Sequence, residues 1–318
     1  MMFPQLQHWG RRLRLRLLLG SALLALSALH PGHAAQMQDA LQRQVSVPDA
    51  PQRIIALSEP DLDALLALGL SPVAASHARG QSSFPAYLQT RLQKQPPAAL
   101  GPFMQTASEA LLLHKPDLIL AGSHSDPVQL AQWSRIAPVF VSFKPGEDWQ
   151  QGLLRIARVL GREAQAQALL QQQQNDITAL RGQLQRAGLA GQTVSLARWN
   201  AGGMLLMQRD AFASRLLLQL GLQRPPSQQT PGSAHSAPLM REAWGTLEAD
   251  WLLVGCFGAE GLRALQQAQH SNPLQQLAVV RKQHVLGLDG AVWTGPGGYL
   301  AAQSILQDLQ RSLLPGAR

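Results

Sequence analysis

The 318-residue chain contains one cysteine, Cys256, and only two tyrosines. A single thiol excludes any disulfide within the chain, whatever its compartment. Cys256 closes the apolar stretch WLLVGC, so a small buried hydrophobe is the expected role. No cysteine follows the N-terminal apolar run, so the expected product carries no lipid anchor. Past residue 29 there is no second run of about 20 apolar residues, the length a membrane span needs. The enzyme signatures are missing too: no Gly-x-Ser-x-Gly, P-loop or Gly-x-Gly-x-x-Gly follows a strand. GPGG (295–298) is rich in glycine but lacks the Lys-Ser/Thr that would hold a phosphate. No dense basic stripe marks a nucleic-acid surface.

Basic charge is concentrated at the N-terminus instead. RRLRLR (11–16) precedes an apolar run from Leu17 to Leu29, and GHAA follows, with Gly32 and Ala34 suited to signal peptidase. Residues 1–34 therefore read as a secretory signal peptide. Cleavage after Ala34 would remove four Arg and no acid, taking the formal charge from +8 to +4. The expected location is the periplasm. About 284 residues remain, enough for two domains.

Those residues alternate between nearly continuous apolar runs and amphipathic segments. RIIAL (53–57), VAAS (73–76), DLILAG (117–122) and VFVSF (139–143) read as strands buried on both faces, as in a parallel sheet. SEPDLDALLALG (58–69) reads as a helix, with Pro60 in its first turn, Asp61 and Asp63 near its positive end and Gly69 at its stop. TVSLARW (193–199), GMLLM (203–207), DWLLVG (250–255) and HVLGLD (284–289) are strands of a second set. AFASRLLLQLGL (211–222), LMREAWGTL (239–247) and residues 298–314 are its helices. Between the sets, 148–161 and 162–188 show helical spacing and no strand signal. The expected fold is α/β: two lobes, 35–147 and 191–318, each with a central, mainly parallel sheet flanked by helices. Residues 148–190 join them through one long helix.

The two lobes share a phrase. SEALLLHKPDLILAG (108–122) aligns without a gap on REAWGTLEADWLLVG (241–255), matching Glu, Ala, Asp and the closing Gly. Each copy reads as a helix, a tight turn and a strand, with an exposed glutamate in the helix's first turn.

The order and spacing of six segments carry a family resemblance: RIIALSEPDLDALLALGLSPVA, GPFMQTASEALLLHKPDLILAG, QLAQWSRIAPVFV, AFASRLLLQLGL, NPLQQLAVVRKQHVLGLD and AVWTGPGGYLAAQSILQDL. Together they resemble the periplasmic substrate-binding proteins of iron-siderophore and vitamin B12 ABC importers. Within that family the chain is similar to the ferric hydroxamate binder. The resemblance implies a cofactor-free monomer that is not an enzyme and holds a ferric siderophore, hydroxamate type favoured, between its lobes. Cobalamin or haem is the alternative ligand, and Zn or Mn capture a further one.

The partners it implies are an inner-membrane permease dimer with its ATPase. Glu109 and Glu242 match the family's permease-docking glutamates, one per lobe. Trp293 matches a pocket tryptophan of the hydroxamate binder. Trp199, Arg198, Arg79, His77 and His124 end or follow strands and are the other candidate ligand-binding residues, since ligands of open α/β sheets sit at strand C-terminal ends. Phe103 stands where the hydroxamate binder has an arginine, leaving Arg79 or Arg198 as substitutes. Trp133, Trp149, Trp244 and Trp251 read as structural. Six histidines lie beyond the leader (His77, His114, His124, His235, His270, His284), with no His-x-x-x-His pair among them, and no metal ligands are assigned.

Overall fold

A computed structural model of the chain describes residues 34–77, 83–93, 95–102, 106–200 and 203–314. The leader, Arg79 and Phe103 lie outside the described residues.

The N-terminal lobe opens with an antiparallel hairpin, β1 (Ala34–Gln38) and β2 (Gln44–Pro48), which the sequence reading did not anticipate. There follow β3 (Ile54–Ala56), α1 (Glu59–Ala67), β4 (Ala74–His77), α2 (Ala86–Leu92), β5 (Ala98–Pro102), α3 (Ser108–Leu113), β6 (Leu118–Leu120), α4 (Pro127–Trp133) and β7 (Val139–Phe140). Five of these strands form one wholly parallel sheet in the order β5-β4-β3-β6-β7. Ile55, Ile119 and Phe140 are fully enclosed, as near-continuous apolar strands require.

Two helices lead out of the lobe, α5 (Trp149–Val159) and α6 (Glu163–Arg186). At about 1.5 Å per residue, the 24 residues of α6 span about 36 Å. Ala166 packs in the N-terminal core, and Ile177, Leu180 and Leu184 pack in the C-terminal one. The glutamine-rich stretch is therefore a strut anchored at both ends.

The C-terminal lobe contains β8 (Val194–Asn200), β9 (Gly203–Leu206), α7 (Phe212–Gln219), a 3-10 helix Arg241–Leu247, β10 (Trp251–Cys256), α8 (Gly258–Gln269), α9 (Asn272–Gln275), α10 (Ala278–Arg281), β11 (Val285–Asp289), α11 (Gly290–Trp293) and α12 (Tyr299–Leu313). Its sheet runs β11-β10-β8-β9, parallel except for β9. The shared phrase takes the same place in both lobes, leading into an interior strand, β6 or β10. Its second copy is wound as a 3-10 helix rather than an α-helix. Cys256 is buried, and burial pushes its thiol up to about 11.

The helix α1 begins as its sequence dictates. The Ser58 hydroxyl accepts the Asp61 N–H at 3.2 Å, Pro60 occupies the first turn, and Gly69 takes φ +72° just past the end. Its acids, however, do not face water. Asp61 and Asp63 are 0% exposed. Asp61 accepts hydroxyl hydrogen bonds from Ser58 and Ser142.

Asp63 crosses to the other lobe. Its two oxygens accept the backbone N–H groups of Leu300 and Ala301, each at 3.0 Å, at the start of α12. One lobe thus caps a helix of the other. A side chain at Gly298 would begin 2.4 Å from the Asp63 carboxyl carbon, so glycine is needed there. Tyr299 and Leu300 belong to the N-terminal core and Ile305, Leu306 and Leu309 to the C-terminal one, making α12 a second connection between the lobes. Replacing Asp63 by Ala strands two buried N–H groups and should cost about 3 kcal/mol, lowering Tm by several degrees. A melting curve matching wild type would refute the cap's importance.

Candidate functional site: the inter-lobe cleft

Between the lobes lies a cleft of about 940 Å³. Its walls are the C-terminal ends of parallel strands and the turns after them. His77 ends β4, Ser123 follows β6, Arg198 and Trp199 end β8, Phe257 follows β10 and Gly290 follows β11. Gln173 of α6 also lines the cleft.

Aromatic rings dominate both sides. Trp149, first residue of α5, meets Phe212, first residue of α7, edge to face at 6.4 Å and 88°. Trp199 is half-buried, and its ring centroid lies 6.2 Å from that of buried Trp244. The Arg198 guanidinium lies 5.8 Å from the centre of the Phe257 ring. Its Nε donates to Thr294 Oγ1 at 2.9 Å, and it also reaches the Thr294 carbonyl. His77 is set at right angles to Phe84, 5.2 Å between centroids. The charge is mixed: Lys144, Arg198 and Arg215 line the same space as Glu147, Asp148, Asp210 and Glu260.

Three of the expected ligand-binding residues, Arg198, Trp199 and His77, therefore stand on the cleft wall. Two others do not. Trp293 is 1% exposed, packs in the C-terminal core and donates its indole N–H to Asp308 Oδ2 at 2.9 Å. The short helix α11 turns the indole inward while Gly290, Ala291, Thr294 and Gly295 face the cleft. His124 is 5% exposed and lies against Trp133, 4.9 Å between ring centroids, while its neighbour Ser123 reaches the cleft. Burial pulls the His124 pKa down, so it is neutral at pH 7. Glu109 and Glu242 are both exposed, on α3 and on the 3-10 helix, away from the cleft lining.

Sequence reasoning missed Trp149, which it read as structural, as well as Phe212, Phe257 and Glu59. Trp149 and Phe212 each open a helix, and that position was the available signal. Glu59, at the start of α1, is 8% exposed and lines the cleft. Its Oε1 accepts the Tyr87 hydroxyl at 3.1 Å. Burial, countered in part by that hydrogen bond, pushes its pKa up to about 8. Burial also raises Asp63, to about 6, which leaves it ionised at neutral pH against the α12 N-terminus. Among the described residues, no group of three or more His, Cys, Asp or Glu side chains is arranged to hold a metal ion.

Comparison with known proteins gives the same architecture. A family model described as periplasmic binding protein matches residues 54–292. The chain is 26% identical over 298 residues to the Fe(3+) dicitrate-binding periplasmic protein FecB of Escherichia coli, covering 92% of this chain and 94% of that one. It is 25% identical over 282 residues to the probable siderophore-binding lipoprotein YfiY of Bacillus subtilis, covering 85% and 84%. The crystal structure of Staphylococcus aureus SirA complexed with staphyloferrin B superimposes with a TM-score of 0.74 at 21% identity, covering 88% of this chain and 98% of that one.

Proposed function

The chain belongs to the periplasmic binding protein family, and from that premise we propose that it captures a ferric siderophore in the inter-lobe cleft and delivers it to the permease of an ABC importer. Members of this family are binding proteins rather than enzymes. The observation that carries the ligand reading is the aromatic lining contributed from both sides, Trp149, Trp199, Phe212 and Phe257, around a space large enough for a bulky chelate. The iron is held by the chelator, and the protein reads the chelate's outer surface.

The hydroxamate type is the siderophore class the sequence resemblance favours, and the mixed charge of the cleft suits such a near-neutral chelate. A carboxylate chelate is the second reading. It is supported by the E. coli relative named for Fe(3+) dicitrate and by Arg198 on the cleft wall. Arg198, Trp199 and His77 are the proposed ligand contacts among the residues expected from sequence, and Trp149 and Phe212 join them. Glu109 and Glu242 are the proposed permease contacts. The protein acts as a monomer in the periplasm, exported by its leader.

A fluorescence titration tests this. Trp149 and Trp199 lie in the cleft, so a bound ferric chelate should quench them saturably at one equivalent. The panel is a ferric trihydroxamate, a ferric catecholate, ferric citrate, cobalamin, haem and Zn²⁺, with an indole control for light absorbed by the ligand. Replacing Trp149 and Trp199 by Phe should remove most of the quench. Saturation by Zn²⁺ alone would overturn the siderophore reading. Saturation by cobalamin or haem alone would reassign the ligand.

A further inference from the structure

Glu59 is a titratable group of the cleft that docking and aromatic capture leave unexplained. We infer that it is a specificity residue: it meets the ligand as an uncharged hydrogen-bond donor, not as an anion. This rests on the cleft being the ligand site.

The geometry separates two carboxyls on one helix. Glu59 and Asp63 lie four residues apart on α1, one turn from each other. Asp63 receives two backbone N–H groups from the positive end of α12, which favours its anion. Among the described residues Glu59 receives no backbone donor, and it lies under the field of that anion. Its neighbours are Asp63 on its own helix, the Tyr87 hydroxyl from α2 and Asp289 from the end of β11, in the opposite lobe. Asp289, too, is shifted up by burial. Three carboxyls and a phenol thus converge where the lobes meet. Among the described residues none gives Glu59 a cationic partner, and a buried carboxyl so placed keeps its proton.

The Tyr87 hydroxyl is shared between Oε1 of Glu59 and the Asp63 carboxylate. That leaves the carboxyl O–H of Glu59, which lines the cleft, to donate to an acceptor on the ligand. Hydroxamate and carboxylate oxygens on an iron chelate are such acceptors. Losing the proton would remove the donor and place a negative charge beside those oxygens. Pairs of acids whose environments drive them to opposite protonation states are a recurrent way to obtain a neutral donor at pH 7.

The test compares wild type with Glu59→Gln, which keeps a donor but cannot ionise. The probes are ferrichrome, a neutral chelate, and ferric citrate, an anionic one. For whichever binds, wild-type affinity should fall about tenfold between pH 7 and pH 9 relative to the variant, since a group titrating near 8 is about nine-tenths ionised at pH 9. Parallel pH profiles for the two proteins would overturn the inference.

A ligand-free arm separates this from the ligand reading itself. In the folded state Glu59 holds its proton up to about pH 8, against about 4.5 for the unfolded chain. The folded protein therefore binds one more proton over that window, and stability falls as pH rises through it. The melting temperature of wild type should drop between pH 5 and pH 8 relative to Glu59→Gln. If neither chelate binds either protein, the siderophore reading fails while the melting difference still reports the proton. Superimposable melting curves overturn the proposal whatever binds.

Discussion

Reversing both exposed glutamates, Glu109→Lys together with Glu242→Lys, is expected to abolish uptake of the ferric chelate in cells while leaving its affinity for the purified protein unchanged. Both side chains are exposed, and neither lines the cleft. Neither makes an ion pair among the described residues, so the substitutions should move stability by no more than about 0.5 kcal/mol. With the two glutamates as the proposed permease contacts, each reversal would convert an attraction for a permease cation into a repulsion, and like charges forced together at an interface cost several kcal/mol. Two such contacts, one per lobe, would leave almost no productive complex. Single reversals should give intermediate rates, because each removes only half of a two-point attachment. Radioactive iron uptake in a strain lacking the native protein measures this. Normal transport by the double variant would remove both glutamates from the docking surface.

Trp293→Ala should have the largest effect on stability, and the effect should not reach the ligand directly. The indole is fully enclosed in the C-terminal core with its N–H bonded to Asp308. Truncation opens a cavity and strips Asp308 of a donor, a loss of about 3–5 kcal/mol. Denaturant unfolding measures it, with the midpoint falling at an unchanged slope. Trp293→Phe should retain chelate affinity. Trp199→Ala should do the opposite, weakening binding while melting close to wild type. Loss of affinity in Trp293→Phe at unchanged stability would return that tryptophan to the cleft.

The contrast between these two tryptophans shows where sequence stops. Both end or follow a strand of the same sheet; Trp199 reads as a cleft residue on that ground, and Trp293 through its match to the hydroxamate binder as well. Strand ends specify a level in the fold, not a direction. Trp199 remains on β8 and opens toward the cleft, whereas the single turn of α11 carries Trp293 round to the core side. His124 and Ser123 divide in the same way: adjacent residues after β6, one against Trp133 and the other in the cleft. The acids of α1 show the same limit. Their position at a helix start was legible, but their burial was not, because the groups that accommodate Asp63 lie 237 and 238 residues away.

The sequence by itself determined the α/β class, the two lobes with their mainly parallel sheets, the strut between them and the placing of one exposed glutamate on each lobe. Those features follow from local periodicity, helix punctuation and a phrase repeated in order, all of which are written along the chain. Only the tertiary structure decided which rings line the cleft, which tryptophan is core and that α12 belongs to both lobes. It also set Glu59 and Asp63 in buried surroundings that push their carboxyls up, to about 8 and about 6. Those outcomes depend on burial and on fields from residues distant in sequence, and neither exists until the lobes have come together.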